Sequence, residues 1–139
     1  MSELYNTKIL RFASEIPHLE RLDSPDVTIT KTSRICGSRV TVDINFNEGK
    51  ILNFGQEVKA CALGQASCAI VGHHAIGQTL KSFKSIRAKM EKMLKETGPA
   101  PDGNWADLEI FLPARGHKSR HTSIMLPFDA ILEAFKNKL

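Results

Sequence analysis

The sequence predicts a two-layer α+β domain in which helices pack on one face of a small antiparallel sheet. Three observations predict it. A strand of period 2 folds back through a turn signal in "RVTVDINFNEGKILNF". Stretches of 3.6-residue periodicity lie before and after it. The order is helix, sheet, then helices, with no internal repeat and no long linker. The 139 residues fit one domain, 1–139, with a single core.

Taken in order, Leu4, Ile9, Phe12, Ala13 and Ile16 form a helical stripe that stops near Pro17. "PDVTITKTS", rich in Thr, Val and Ile, reads as extended. Val40, Val42, Ile44 and Phe46 then alternate with Arg39, Thr41, Asp43 and Asn45, which predicts a strand with one buried face. "NEG" signals a hairpin with Gly49 at positive φ. Folding about Glu48 pairs Val42 with Phe54 and Ile44 with Leu52, so all four share the buried face. Residues 63–76 follow as a helix of small side chains, capped by Gly77. Thr79 is the N-cap of the next helix, whose buried stripe is Leu80, Phe83, Ile86, Met90, Met93 and Leu94. "ETGPAPDGN" is a loop, and Asn104 caps a short helix through Leu112. The last helix begins near Ser119 and buries Ile124, Phe128, Ile131, Leu132 and Phe135. Pro127 has no N–H to give, which predicts a kink or a later start.

Composition narrows the function classes. The chain is 42% apolar and 24% charged, which is globular composition and argues against disorder. No apolar run approaches the about 20 residues of a membrane span. The start lacks the basic and apolar regions of a secretory signal. The three cysteines cannot all pair within one chain, so a reduced, cytoplasmic setting is expected. Net charge is +4. The basic runs "KSFKSIRAKMEKMLK" and "RGHKSRH" read as solvated helix faces. Without a binding motif or interleaved aromatics they do not point to nucleic acid. There is no P-loop and no G-x-S-x-G elbow.

The chemistry gathers in "VKACALGQASCAIVGHHAIG" and in the hairpin. Pairing about Glu48 sets Cys36 opposite Ala60 and Cys61 opposite Ile35. The two thiols then lie side by side where the hairpin opens. Such a pair can share a metal, form a disulfide, pass sulfur or simply pack. Cys61 precedes a helix N-terminus, whose dipole favours negative charge. Gly37 leaves the backbone beside Cys36 open to a ligand. Cys68 lies two turns into the helix among Ala66, Ala69 and Ile70 and reads as a buried core thiol. His73 and His74 point about 100° apart on a helix, so they do not face one metal easily and read as helix-end residues. His117 and His121 have i, i+4 spacing, but Gly116 and Ser119 put His117 outside the helix.

"RICGSRVTVDINFNEGKILNF", "CALGQASCAIVGHHAIGQTL" and "SRHTSIMLPFDAILEAF" resemble the iron–sulfur cluster scaffold family of IscU, SufU and the NifU N-terminal domain. The resemblance runs from about Leu4 to the C-terminus and is sharpest at 34–72 and 119–135. It implies a SufE/NifU-like fold, a three-stranded antiparallel sheet packed by helices. It also implies a carrier, not an enzyme. A cysteine desulfurase would donate sulfur, and apo-acceptor proteins or a chaperone would receive the cluster. The implied ligands are Cys36, Cys61 and His121, holding an Fe–S cluster, iron or zinc. The family's third ligand cysteine falls on Thr122, and the acidic residue of its Cys-Gly-Asp motif falls on Ser38. Three ligands are fewer than the four a [2Fe–2S] cluster takes. The expected state is a monomer or weak homo-oligomer. The alternatives are an interaction module that has lost metal chemistry, and a thiol redox enzyme using Cys36 and Cys61.

Overall fold

A computed structural model describes residues 6–35 and 37–137. The elements are α1 (Thr7–Ser14), β1 (Val27–Thr32), β2 (Arg39–Asn47), β3 (Lys50–Lys59), α2 (Ala62–His74), α3 (Leu80–Lys95), a 3₁₀ segment (Gly103–Ala114) and α4 (Lys118–Lys136). The sheet is antiparallel in the order β1-β2-β3, so the fold is α+β as expected. The Asn6 side chain accepts from the Ile9 N–H and starts α1, which ends before Pro17 and buries Ile9. Leu4 of the expected stripe lies outside the described residues, as does Cys36.

The hairpin turn uses both Glu48 and Gly49, at φ +52° and +78°, so Asn47 pairs with Lys50. Phe46 pairs with Ile51 and Asn45 with Asn53, which leaves Leu52 as the extra residue of a bulge, 51% exposed. This corrects the expected register. Ile44 faces Phe54, not Leu52, and Val42 faces Gln56. The two-residue turn and the bulge together slip β3 by two positions. Because side chains alternate with period 2, that slip keeps every face, and Val40, Val42, Ile44 and Phe54 are buried. Only Leu52 loses its expected place, which Ile51 takes.

The outer face of β2 is polar, as the alternation implied, but it is not wholly exposed. Asp43 is fully buried. Residues 17–22 cross over the sheet there: the Gln56 N–H donates to the His18 carbonyl, and any Cβ at Gly55 would collide with the Glu20 carbonyl. Arg21 reaches in, its Nε donating to Asp43 Oδ2 at 2.6 Å and its Nη2 to Oδ1 at 3.1 Å. Thr28 Oγ1 donates to Oδ1 at 2.6 Å and the Leu22 N–H to Oδ2 at 3.0 Å. Burial alone pushes this carboxyl up. The hydrogen bonds from Arg21, Thr28 and Leu22, with the Arg21 charge, outweigh it and hold the group below its ordinary value. A group depressed in the fold stabilises it above the unfolded pKa and loses that contribution as pH falls through the folded pKa. The melting temperature is therefore expected to drop between about pH 5 and about pH 2. Asp43→Asn, less stable at pH 7, should lose less over that interval. Parallel curves for the two proteins in thermal circular dichroism would remove Asp43 from this account.

On the inner face α4 packs against β1 and β2 and α2 lies against β3. α2 is buried on nearly every side. Thr79 and Ser82 form a reciprocal capping box at the start of α3, and Phe83, Ile86, Met90, Met93 and Leu94 are buried as expected. Leu80 is 40% exposed, because the first turn of α3 projects beyond the core. The residues from Gly103 form a 3₁₀ run whose N-cap is Asp102, not Asn104. α4 starts at Lys118 and its helical run continues through buried Pro127, so the later start is not found. Pro127 withholds the N–H that would otherwise reach the Ser123 carbonyl.

Candidate functional site

Cys61 is the N-cap of α2, with extended backbone (φ −67°, ψ 170°), and its side chain makes no capping bond. The sulfur is therefore left to other partners at the positively polarised end of a 13-residue helix. Cys61 is half-buried. Its Sγ lies 3.3 Å from Ser123 Oγ of α4, which lies 3.2 Å from Ser38 Oγ. The Cys61 N–H donates to Ser38 Oγ at 3.4 Å. Ser38 and Ser123 are buried, at 2% and 0% exposure. Gly64 permits this meeting, since a Cβ there would stand 2.6 Å from Ser123 Oγ and 2.9 Å from the Ala60 Cβ. One turn on, Ser67 Oγ donates to the Ile124 carbonyl at 2.6 Å and ties α2 to α4.

The β1–β2 loop closes on itself beside Cys61: the Gly37 N–H donates to the Ser33 carbonyl and the Ser33 N–H to the Ser38 carbonyl, each at 2.8 Å. Gly37 has φ +72°. Continued past its last pair, Arg39 with Lys59, the ladder sets Ala60 against Ser38 and Cys61 against Gly37. That corrects the expected pairings of Ala60 with Cys36 and of Cys61 with Ile35 by the same two-position slip. Cys36 itself lies outside the described residues, between Ile35 and Gly37 of this loop. Ser38, where the acidic residue of the family's motif falls, is turned inward and joins the start of β2 to α2 and α4.

His121 is 5% exposed, and its Nε2 lies 2.8 Å from the Ala114 carbonyl. A carbonyl only accepts, so Nε2 carries a proton, and in the neutral ring Nδ1 then holds the lone pair. Thr122 is exposed. With His121, Leu94, Lys95, Arg115 and Lys118 it lines an open cavity of about 440 Å³. On its other side it borders a groove with Thr32, the last residue of β1. Cys68 is fully buried, and burial and then nearby Cys61 push its thiol well up, as a core thiol requires. His73 is exposed, while half-buried His74 packs on Trp105 with ring centroids 4.9 Å apart. Burial, then the neighbouring His73, lower the His74 pKa against the pull of Asp107. Both lie about 18 Å along α2 from Cys61. His117 is exposed and is the N-cap of α4, outside the helix as expected. Among the described residues no three His, Cys, Asp or Glu side chains converge on a point where a metal would sit.

Sequence reasoning missed Ser123. A signal was present: Ser123, Pro127, Ala130 and Ala134 are all buried and recur at spacings of 4, 3 and 4, a small-residue stripe like that of α2. Two such stripes allow helices to cross closely, and a hydroxyl on one of them meets whatever opens the other.

No family model matches the chain. A curated relative, the iron–sulfur cluster assembly scaffold protein IscU of Thermotoga maritima, is 21% identical over 133 residues, covering 96% of this chain and 93% of the relative. A putative iron–sulfur cluster assembly scaffold protein for the SUF system from Fervidobacterium islandicum AW-1 has a TM-score of 0.86 at 19% identity. The match covers 95% of this chain and 96% of that one, and shows the fold. The N-terminal part of a nitrogen-fixing NifU-like protein from Brucella abortus has a TM-score of 0.93 at 42% identity, covering 96% of this chain and 93% of that one. Identity at that level over nearly the whole of both chains carries more than a shared fold, and the chain belongs to the IscU, SufU and NifU N-terminal family of iron–sulfur cluster assembly scaffolds.

Proposed function

We propose that this protein is an iron–sulfur cluster assembly scaffold that holds iron, zinc or a labile cluster at Cys36, Cys61 and His121 and passes it to acceptor proteins. The observation that carries the reading is Cys61: a half-exposed thiol, spared from capping, at a helix N-terminus in a chain 42% identical to a NifU-like domain. Thiolates suit zinc and iron–sulfur clusters. His121 has the arrangement of a metal-ligating histidine, with one ring nitrogen donating to a backbone carbonyl and the other bearing a lone pair. Three ligands leave one position of a cluster to water, to the weak Thr122 hydroxyl or to a second chain, and an under-ligated cargo is a transferable one. In this reading the protein works as a carrier without turnover, with a cysteine desulfurase as sulfur source and an apo-acceptor or chaperone as receiver. A reducing cytoplasm would keep the thiols available. No described helix is long and apolar enough to cross a membrane.

The inward-turned Ser38 favours a second reading, an interaction module in which hydroxyls close the site. A Cys36–Cys61 redox couple is the third. Protein purified without oxygen and assayed for metal and acid-labile sulfide separates them. Iron with sulfide is the expected result. A peroxide-driven disulfide without metal would give the redox couple, and neither signal would give the module.

A further inference from the structure

We infer that the Ser123 hydroxyl is a positioning donor to the Cys61 sulfur, and that Ser38 fixes its direction. The pair of buried hydroxyls then tunes the bond between that sulfur and the metal it holds. The inference rests on the scaffold reading. A metal-bound cysteine sulfur is a thiolate and only accepts hydrogen bonds. Ser123 has one hydroxyl proton, so in the 3.3 Å contact it donates to Sγ. The 3.2 Å contact between the two serines must then run from Ser38 to Ser123. Ser38 in turn accepts from the Cys61 N–H at 3.4 Å. The bonds run head to tail from the Cys61 amide through two hydroxyls back to the Cys61 sulfur. Such a loop strengthens cooperatively where solvent is excluded, as it is at both serines. It restrains the Cys61 side chain from two elements distant in sequence. A donor on a ligand sulfur draws electron density from it, and hydrogen bonds to sulfur are one of the levers that set cluster potential.

Cobalt(II) added to the metal-free full chain is the probe, because a thiolate ligand gives a sulfur-to-cobalt charge-transfer band. Ser123→Ala is expected to move that band to lower energy, since an undonated sulfur gives its electrons up more readily. Ser38→Ala should move it less and in the same direction, and Ser123→Thr, which keeps the hydroxyl, should leave it near the wild-type position. The midpoint potential of a reconstituted cluster should become more negative in the same order. A purely packing role for Ser123 would change melting temperature without moving band or potential. Wild type and Ser123→Ala with the same band energy, both folded and loaded, would overturn the inference and leave the scaffold reading standing. A wild-type protein with no charge-transfer band would overturn the scaffold reading, and this inference with it.

Discussion

Cys61→Ser is expected to lower the metal content of anaerobically reconstituted protein by more than about tenfold, since even changes to outer-sphere partners cost about 10–100-fold in metal affinity. A serine hydroxyl has nearly the shape of the thiol but is not ionised at neutral pH and is a hard, weak donor to iron or zinc. Cys36→Ser should lose metal to the same degree. Cys68→Ser should keep it, because that residue is fully buried and its thiol is held protonated by burial. It should cost stability instead, because a hydroxyl replaces an apolar sulfur in the core. Metal analysis beside thermal denaturation separates the two kinds of loss. Equal depletion in all three variants would mean that the metal leaves through unfolding, and the division of roles among the cysteines would fail.

Much of the fold was legible because its signals are local. The alternation in β2, the positive φ of Gly49, the Thr79 cap and the α3 stripe each depend on a few neighbouring residues. What was not legible depends on the third dimension. The bulge at Leu52 has no sequence mark, and it accounts for half of the slip that moved Cys61 from Ile35 to Gly37. Asp43 reads as a surface residue by alternation. It is buried because residues 17–22, with no regular structure of their own, lay Arg21 across it. At the site, the family resemblance led to His121 and Thr122, whereas Ser123 was overlooked as one more polar residue. Its role depends on Gly64 admitting it to the sulfur, a contact between segments about sixty residues apart.

Thr122→Cys is expected to lengthen the half-life of a reconstituted cluster by about tenfold or more, equivalent to about 1.4 kcal/mol or more of added ligand stabilisation. Two neighbouring positions on α4 compete for the part of the missing third cysteine, and the structure gives them different surroundings. Thr122 is exposed and borders the groove that begins at Thr32, the last residue of β1 before the β1–β2 loop. A thiol there would add a soft donor in the first turns of α4 without displacing core atoms, so the melting temperature should change little. Ser123 is fully enclosed, 3.3 Å from the Cys61 sulfur and against Gly64. A thiol at 123 would be larger than the hydroxyl it replaces, would crowd Gly64, and would be positioned to oxidise with Cys61. Ser123→Cys should therefore shorten cluster life or abolish loading, and should form a disulfide in air. Ser38→Asp, which would put back the acidic residue of the family's motif, would bury a carboxylate where exposure is 2%. It should cost stability and undo any gain from Thr122→Cys in the double variant. Visible absorbance decay of the reconstituted proteins, with melting curves on the same samples, measures all of this. If Ser123→Cys holds its cluster longer and Thr122→Cys does not, the third ligand position is the buried one, and the cargo is held between α2 and α4, not at their rim.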